Sequence, residues 1–120
     1  MIIWITGAPG SGKSTTAMTF RDRFPHSVIL DGDDCRVWLT PDCDFSDGGR
    51  AKHAQRVWRV AWQISVAGGT AICALVAHPP YQVDLLVLCQ GRNRPLWEGT
   101  SYTPPEHPDM VIYTGDACPK

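Results

Sequence analysis

The chain reads as an α/β fold, a minimal parallel sheet of about five strands flanked by helices. Three observations carry that reading. Short apolar runs alternate with helical segments, the pattern of a parallel sheet whose crossovers are helices. The first run, Met1-Ile2-Ile3-Trp4-Ile5-Thr6, passes directly into Gly7-Ala8-Pro9-Gly10-Ser11-Gly12-Lys13-Ser14. Those eight residues match G-x-x-x-x-G-K-[ST], a phosphate-binding loop that belongs between a buried strand and a helix.

The elements follow in order. The first strand covers about residues 2–6, and a helix runs from Lys13 to about Arg23, where Pro25 ends it. Ser27-Val28-Ile29-Leu30 forms a second strand leading into Asp31-Gly32-Asp33. A short helix is expected over Cys35–Leu39, before Pro41. In the segment 47–67, Ala54, Val57, Trp58, Ala61, Ile64 and Ser65 share one helical face, and Gly68-Gly69 closes the helix. Arg56 and Arg59 fall on its solvated side. Thr70–Val76 reads as a buried third strand and Val83–Leu88 as a fourth. Residues 91–108 are polar and proline-rich, which predicts a mobile loop, and Met110-Val111-Ile112-Tyr113 is a last strand. Without repeats or a linker, residues 1–120 are expected to form one domain.

The loop residues have the chemistry of an anion cradle. Gly7, Gly10 and Gly12 allow the tight turn that points successive N–H groups inward, with Ala8, Pro9 and Ser11 between them. The helix start adds unpaired N–H groups and the positive end of its dipole at Lys13, Ser14 and Thr15. Residues 7–15 are therefore the expected ATP site. Lys13 reaches the β- and γ-phosphates, and the Ser14 hydroxyl is a ligand for Mg²⁺.

Composition removes several classes of partner. A net charge of −1 gives no basic footprint for general nucleic-acid binding. No apolar run is long enough for a membrane span, and no leader is expected ahead of a strand that starts at Met1. The five cysteines are odd in number and hold no C-x-x-C pair, which suits reduced thiols in a cytoplasm. Cys73 and Cys89 sit in apolar runs as small buried side chains.

A second group, Asp31-Gly32-Asp33-Asp34-Cys35-Arg36, stands at the carboxyl end of the second strand. In an open parallel sheet this edge faces the ligand crevice. Taken alone, Asp-Gly-Asp before a helix is ordinary capping composition. The third strand, however, ends Leu75-Val76-Ala77-His78 and offers no carboxylate for a metal. Asp33 is then the natural supplier, and it is also placed to accept the proton of an attacking hydroxyl. Arg36 and Arg50 carry forks suited to phosphate or sulfate oxygens. Phe45 offers a ring for stacking on a base, and His53 shares a helical face with Arg50. Ser46 is placed to cap the long helix.

Together these segments resemble the adenosine 5′-phosphosulfate kinase family of P-loop kinases. The resemblance covers about residues 2–81 and resumes at Tyr102-Thr103-Pro104-Pro105-Glu106-His107-Pro108-Asp109-Met110-Val111-Ile112. It implies transfer of the γ-phosphate of Mg-ATP to the 3′-hydroxyl of adenylyl sulfate. It also implies that Asp33 is the catalytic carboxylate near the acceptor and Mg²⁺, alongside Lys13. Arg36, Phe45, Arg50 and position 53 would hold the acceptor nucleotide, with Phe45 against its adenine. Members commonly form dimers, so a homodimer is the expected assembly.

The departures are specific. Position 53 is His where the family usually has Asn, and His78-Pro79 replaces the family's Ser-Pro. Tyr81 leads almost directly into the fourth strand, without the helix that normally intervenes. The basic lid is shortened to residues 91–99, where Arg92 or Arg94 would bring positive charge onto the transferring phosphate and Trp97 would meet nucleotide or core. No counterpart of the family's terminal helix is expected within these 120 residues. Two rival readings stay open: a kinase for another hydroxyl, such as a nucleoside or a modified base, and a nucleotide-binding remnant without turnover. His78 is either a base or a hydrogen-bonded spectator.

Overall fold

A computed structural model describes residues 1–91 and 102–114. Five parallel strands form one sheet: β1 (Ile2–Thr6), β2 (Ser27–Asp31), β3 (Thr70–Ala74), β4 (Leu85–Gly91) and β5 (Met110–Thr114). Their spatial order is β2-β3-β1-β4-β5. Helix α1 (Lys13–Arg23) connects β1 to β2, while α2 (Gly32–Trp38) and α3 (Asp47–Val66) connect β2 to β3. The fold is the expected parallel α/β sheet of five strands flanked by helices.

Strand periodicity divides the core into two layers. Ile2 and Trp4 of β1, with Ala71 and Cys73 of β3, pack with Ala54, Val57 and Ala61 of α3. Ile3 and Ile5, with Ile72 and Ala74, pack with Ala17 of α1 and with Phe20 and Phe24. Every residue of β1 and β3 is buried, which is why both read as unbroken apolar runs rather than alternating ones. Cys73 and Cys89 are buried thiols, as expected.

Three element boundaries differ from the sequence expectation, each because a polar group intervenes. Helix α2 begins at Gly32, not Cys35, because the Asp31 carboxylate accepts from the Asp33 and Asp34 N–H groups at 3.0 and 3.4 Å. A Cβ on Gly32 would lie 2.6 Å from the Leu75 Cβ, so this early start requires glycine. Strand β3 stops at Ala74 rather than Val76. The next carbonyls leave the ladder for side chains: Val76 O accepts from Thr6 Oγ1 at 2.9 Å, and Ala77 O from Trp4 Nε1 at 2.9 Å. Strand β4 runs from Leu85 to Gly91 instead of 83–88. Before it, the Asp84 carboxylate takes the Ile2 N–H at 2.6 Å, and the Asp84 N–H donates to Ile2 O at 2.9 Å.

Helix α3 matches its expected span to within a residue. Ser46 caps it by accepting from the Gly49 N–H at 3.1 Å, and Gly68, at φ +97°, closes it in the left-handed conformation. Arg56 departs from its expected solvated role. Its two guanidinium nitrogens meet the Asp42 carboxylate at 2.6 and 2.9 Å, tying α3 to the turn after α2. That fork holds the Asp42 carboxyl down at about 2. The expected loop of residues 91–108 is described only in part: Gly91 belongs to β4, and residues 102–108 contain neither helix nor strand. Arg92, Arg94 and Trp97 lie outside the described residues.

Candidate functional site

Because all five strands are parallel, their carboxyl ends share one edge, and the functional side chains gather there. A cleft of about 840 Å³ opens at this edge. Its walls bring together Lys13, Ser14 and Thr15 with Asp31, Asp33, Arg36, Phe45, Arg50 and His53. The segment expected to contribute acceptor contacts and the phosphate loop therefore border one volume.

The phosphate loop is shaped by backbone sterics. Gly10 and Gly12 adopt φ +81° and +88°, values that disfavour any side chain. At Gly7 the restriction is space: an added Cβ would lie 2.4 Å from Ser11 Oγ and 2.7 Å from Cys89 O. Gly12 stands at the N-cap of α1 and supplies no capping side chain, so the first-turn N–H groups are left to an anion. Lys13 Nζ donates to Ala8 O at 3.0 Å, bent over the loop it belongs to. Burial lowers the Lys13 pKa, against the pull of nearby Asp33 and Asp31. A bound polyanion would reverse that penalty.

Asp31 performs more than the sequence indicated. The Ser14 hydroxyl donates to its Oδ2 at 2.5 Å while its Oδ1 caps α2. The capping reading of Asp-Gly-Asp is thus correct for Asp31, and that leaves Asp33 to face the cleft. Ser14, Asp31 and Asp33 line the same cleft as Lys13, and their oxygens are of the chemistry that suits a hard divalent cation shared with phosphate. Among the described residues no cluster of three or more His, Cys, Asp or Glu side chains has metal-site geometry. Any such cation would need oxygens from its ligand as well.

Across the cleft, Arg36 and Phe45 form one unit. The guanidinium lies 4.0 Å above the Phe45 ring centroid, and its Nη1 donates to Cys43 O at 2.9 Å. Phe45 is 67% exposed, so a flat group can reach its ring from solvent. Arg50 lines the same wall, and its guanidinium carries no hydrogen bond or ion pair among the described residues. His53 is buried, its Nδ1 2.7 Å from Thr40 Oγ1. Burial and the Arg36 charge both push its pKa down, while Asp33 pulls it up.

Residues after the undescribed segment close the third side. Tyr102 is buried with its hydroxyl 3.0 Å from Thr6 Oγ1, at the end of β1. Burial raises its pKa. His78 Nε2 lies 2.6 Å from Thr103 O, and its ring meets Tyr102 edge-on at 5.9 Å. In this arrangement His78 is a tether. Thr114 Oγ1, at the end of β5, donates to Ser11 O and so braces the phosphate loop from below. Nothing in the sequence marked Thr40 or Thr114, because their partners lie 13 and 103 positions away.

Comparison with known proteins agrees with this geometry. Residues 1–86 match the family model described as adenylylsulphate kinase. The adenylyl-sulfate kinase of Pseudomonas entomophila (strain L48) is 40% identical over 86 residues, covering 68% of this chain and 40% of that protein. The adenylyl-sulfate kinase of Geotalea uraniireducens (strain Rf4) is 33% identical over 106 residues, covering 85% and 48%. The chain thus spans less than half the length of these relatives. Among solved structures, the APS kinase CysC of Mycobacterium tuberculosis superposes with a TM-score of 0.67 at 26% identity, over 96% of this chain and 86% of that one.

Proposed function

The chain belongs to the adenylylsulphate kinase family, and on that premise we propose that it transfers the γ-phosphate of ATP to the 3′-hydroxyl of adenylyl sulfate. The observation that carries this reading is the single cleft that joins Lys13 and Ser14 to Asp33, Arg36, Phe45 and Arg50. Residues 7–15 hold the triphosphate through the loop N–H groups and the start of α1. Lys13 gives up its bond to Ala8 O and meets the β- and γ-phosphates. Arg36 and Arg50 grip the anionic groups of the acceptor, and the exposed Phe45 ring stacks on its base.

Asp33 orients the acceptor hydroxyl and takes its proton as the oxygen attacks in line. Little covalent work remains for the protein, so rate comes from positioning and from charge placed where the transition state needs it. Ser14, Asp31 and Asp33 are the residues whose oxygens would hold Mg²⁺, and the ion would supply charge neutralisation at the phosphates. Arg92 and Arg94 would add lid charge. Two nucleotides are thus the substrates, in a cytoplasm consistent with four buried free thiols among the described residues. Among the described residues no helix is long and apolar enough to cross a membrane.

Exposed Val37 and Trp38 on α2 favour association of copies as a homodimer, which light scattering would test. The deciding assay supplies labelled ATP with adenylyl sulfate and follows a 3′-phosphorylated nucleotide. Transfer only to other hydroxyl acceptors, or ATP binding without transfer, would overturn the proposal. Asp33→Asn is expected to cut transfer by about 10²-fold or more while sparing ATP affinity. Undiminished transfer would remove Asp33 from this role.

A further inference from the structure

The acceptor wall contains one imidazole whose hydrogen bonding can be traced to the end. His53 is 4% exposed on α3 and borders the cleft, with Nδ1 2.7 Å from Thr40 Oγ1. Thr40 is fully buried in the turn after α2 and does not border the cleft. Its backbone is already engaged: the N–H donates to Cys35 O at 3.0 Å, and the carbonyl accepts from Cys43 N at 3.1 Å. Among the described residues, the Thr40 hydroxyl has His53 as its sole partner.

That isolation decides the direction of the bond. A buried hydroxyl that finds no acceptor for its proton costs roughly 1–3 kcal/mol. The ring nitrogen is the acceptor within reach, so Thr40 donates and Nδ1 carries no proton. A neutral imidazole has one proton to place, and it must then sit on Nε2. Burial and the neighbouring Arg36 keep the ring neutral. With Nδ1 engaged by Thr40, which does not border the cleft, Nε2 is the ring nitrogen left to serve the cleft.

We infer that Thr40 is a positioning residue that fixes His53 as a one-way hydrogen-bond donor into the cleft, and that the group it receives is an anionic oxygen of the bound acceptor nucleotide. The choice of an anionic oxygen follows from Arg36 and Arg50 on the same wall, which already make this half of the cleft a place for negative charge. An asparagine offers a donor and an acceptor together, whereas His53 with Nδ1 engaged offers a donor alone. The inference deepens the proposed function and rests on that half of the cleft being the acceptor site.

The test uses the full chain and two readouts. Nitrogen-15 spectra of the ligand-free protein report which ring nitrogen of His53 is protonated. Nε2–H with bare Nδ1 is expected; a protonated Nδ1 overturns the inference alone. Titration with adenylyl sulfate and with adenosine then reports the ligand. His53→Leu should weaken adenylyl sulfate about tenfold or more and adenosine hardly at all, and His53→Gln, whose amide nitrogen falls near Nε2, should restore most of the loss. An equal effect on both ligands overturns the anionic-oxygen assignment.

Thr40→Val should weaken adenylyl sulfate a few-fold in the wild-type background but not in His53→Gln. Thr40→Ser, which keeps the hydroxyl, should behave as wild type in both the spectrum and the titration. Loss of the Nε2–H tautomer in Thr40→Ser would overturn the inference. An expected spectrum with no adenylyl sulfate binding to wild type would instead overturn the acceptor reading, and with it the ligand assigned to His53.

Discussion

The two halves of the cleft are built by different means. The phosphate half is made of backbone. Gly7, Gly10 and Gly12 shape it, N–H groups line it, and Thr114 Oγ1 braces it through Ser11 O. The opposite half, proposed above to take the acceptor, is made of side chains from α2, α3 and the turn between them, held by one another and by a backbone carbonyl: Arg36 on Phe45, Arg36 on Cys43 O, and His53 on Thr40. A backbone cradle accepts any triphosphate and tolerates little substitution. A side-chain wall can be retuned one residue at a time. Asp31 belongs to both halves, since one oxygen takes the Ser14 hydroxyl and the other caps α2.

This division sets the order of expected effects. Lys13→Ala removes the phosphate loop's own cationic side chain and should lower transfer by about 10³-fold, as followed with labelled ATP. A loss below about tenfold would mean that the backbone carries the phosphate charge unaided. Arg50→Met should raise the acceptor KM by about 10- to 100-fold, the equivalent of one charge-assisted hydrogen bond. The ATP KM should stay unchanged. Equal increases in both would erase the distinction between the halves.

Asp31→Ala should cost about 1 kcal/mol of stability through the lost cap, read from denaturant unfolding, and should also weaken the ATP site through Ser14. A stability loss with normal ATP affinity would confine Asp31 to capping.

The smallest effect concerns pH. Burial and Arg36 depress the His53 pKa in the folded chain, so the unfolded chain takes up that proton first as the medium acidifies. The stability contributed by the neutral ring is complete above the ordinary value of 6.5 and is lost as pH falls from there through the folded value. His53→Gln should flatten this part of the melting-temperature profile. An unchanged acid slope would show that the ring titrates normally.

How much of this was legible beforehand follows the same line. The phosphate half could be read from Gly7 to Ser14 because its contacts are local and glycine identity is forced by positive φ or by space. The buried strands β1 and β3 could be read from their unbroken apolar runs, while their division into two core layers came only with the helices packed on each face. The ends of β3 and β4 could not, since Thr6, Trp4 and Asp84 redirect their hydrogen bonds from distant positions. Arg56 was read as solvated for a similar reason: Asp42, 14 residues earlier, reaches it only after α2 and α3 are packed.

By itself the sequence determined a parallel α/β sheet, a phosphate loop between its first strand and helix, and an acidic turn on the same edge, because apolar periodicity and glycine chemistry act over a few residues. Tertiary structure alone decided that Asp31 rather than Asp33 binds the Ser14 hydroxyl, that Thr40 orients His53, and that Thr114 and Tyr102 buttress β1 and the loop that follows it. Those partnerships join positions as far as 103 residues apart. Only a closed chain, with its entropy already surrendered to the core, can hold such hydroxyls within 3 Å of their partners.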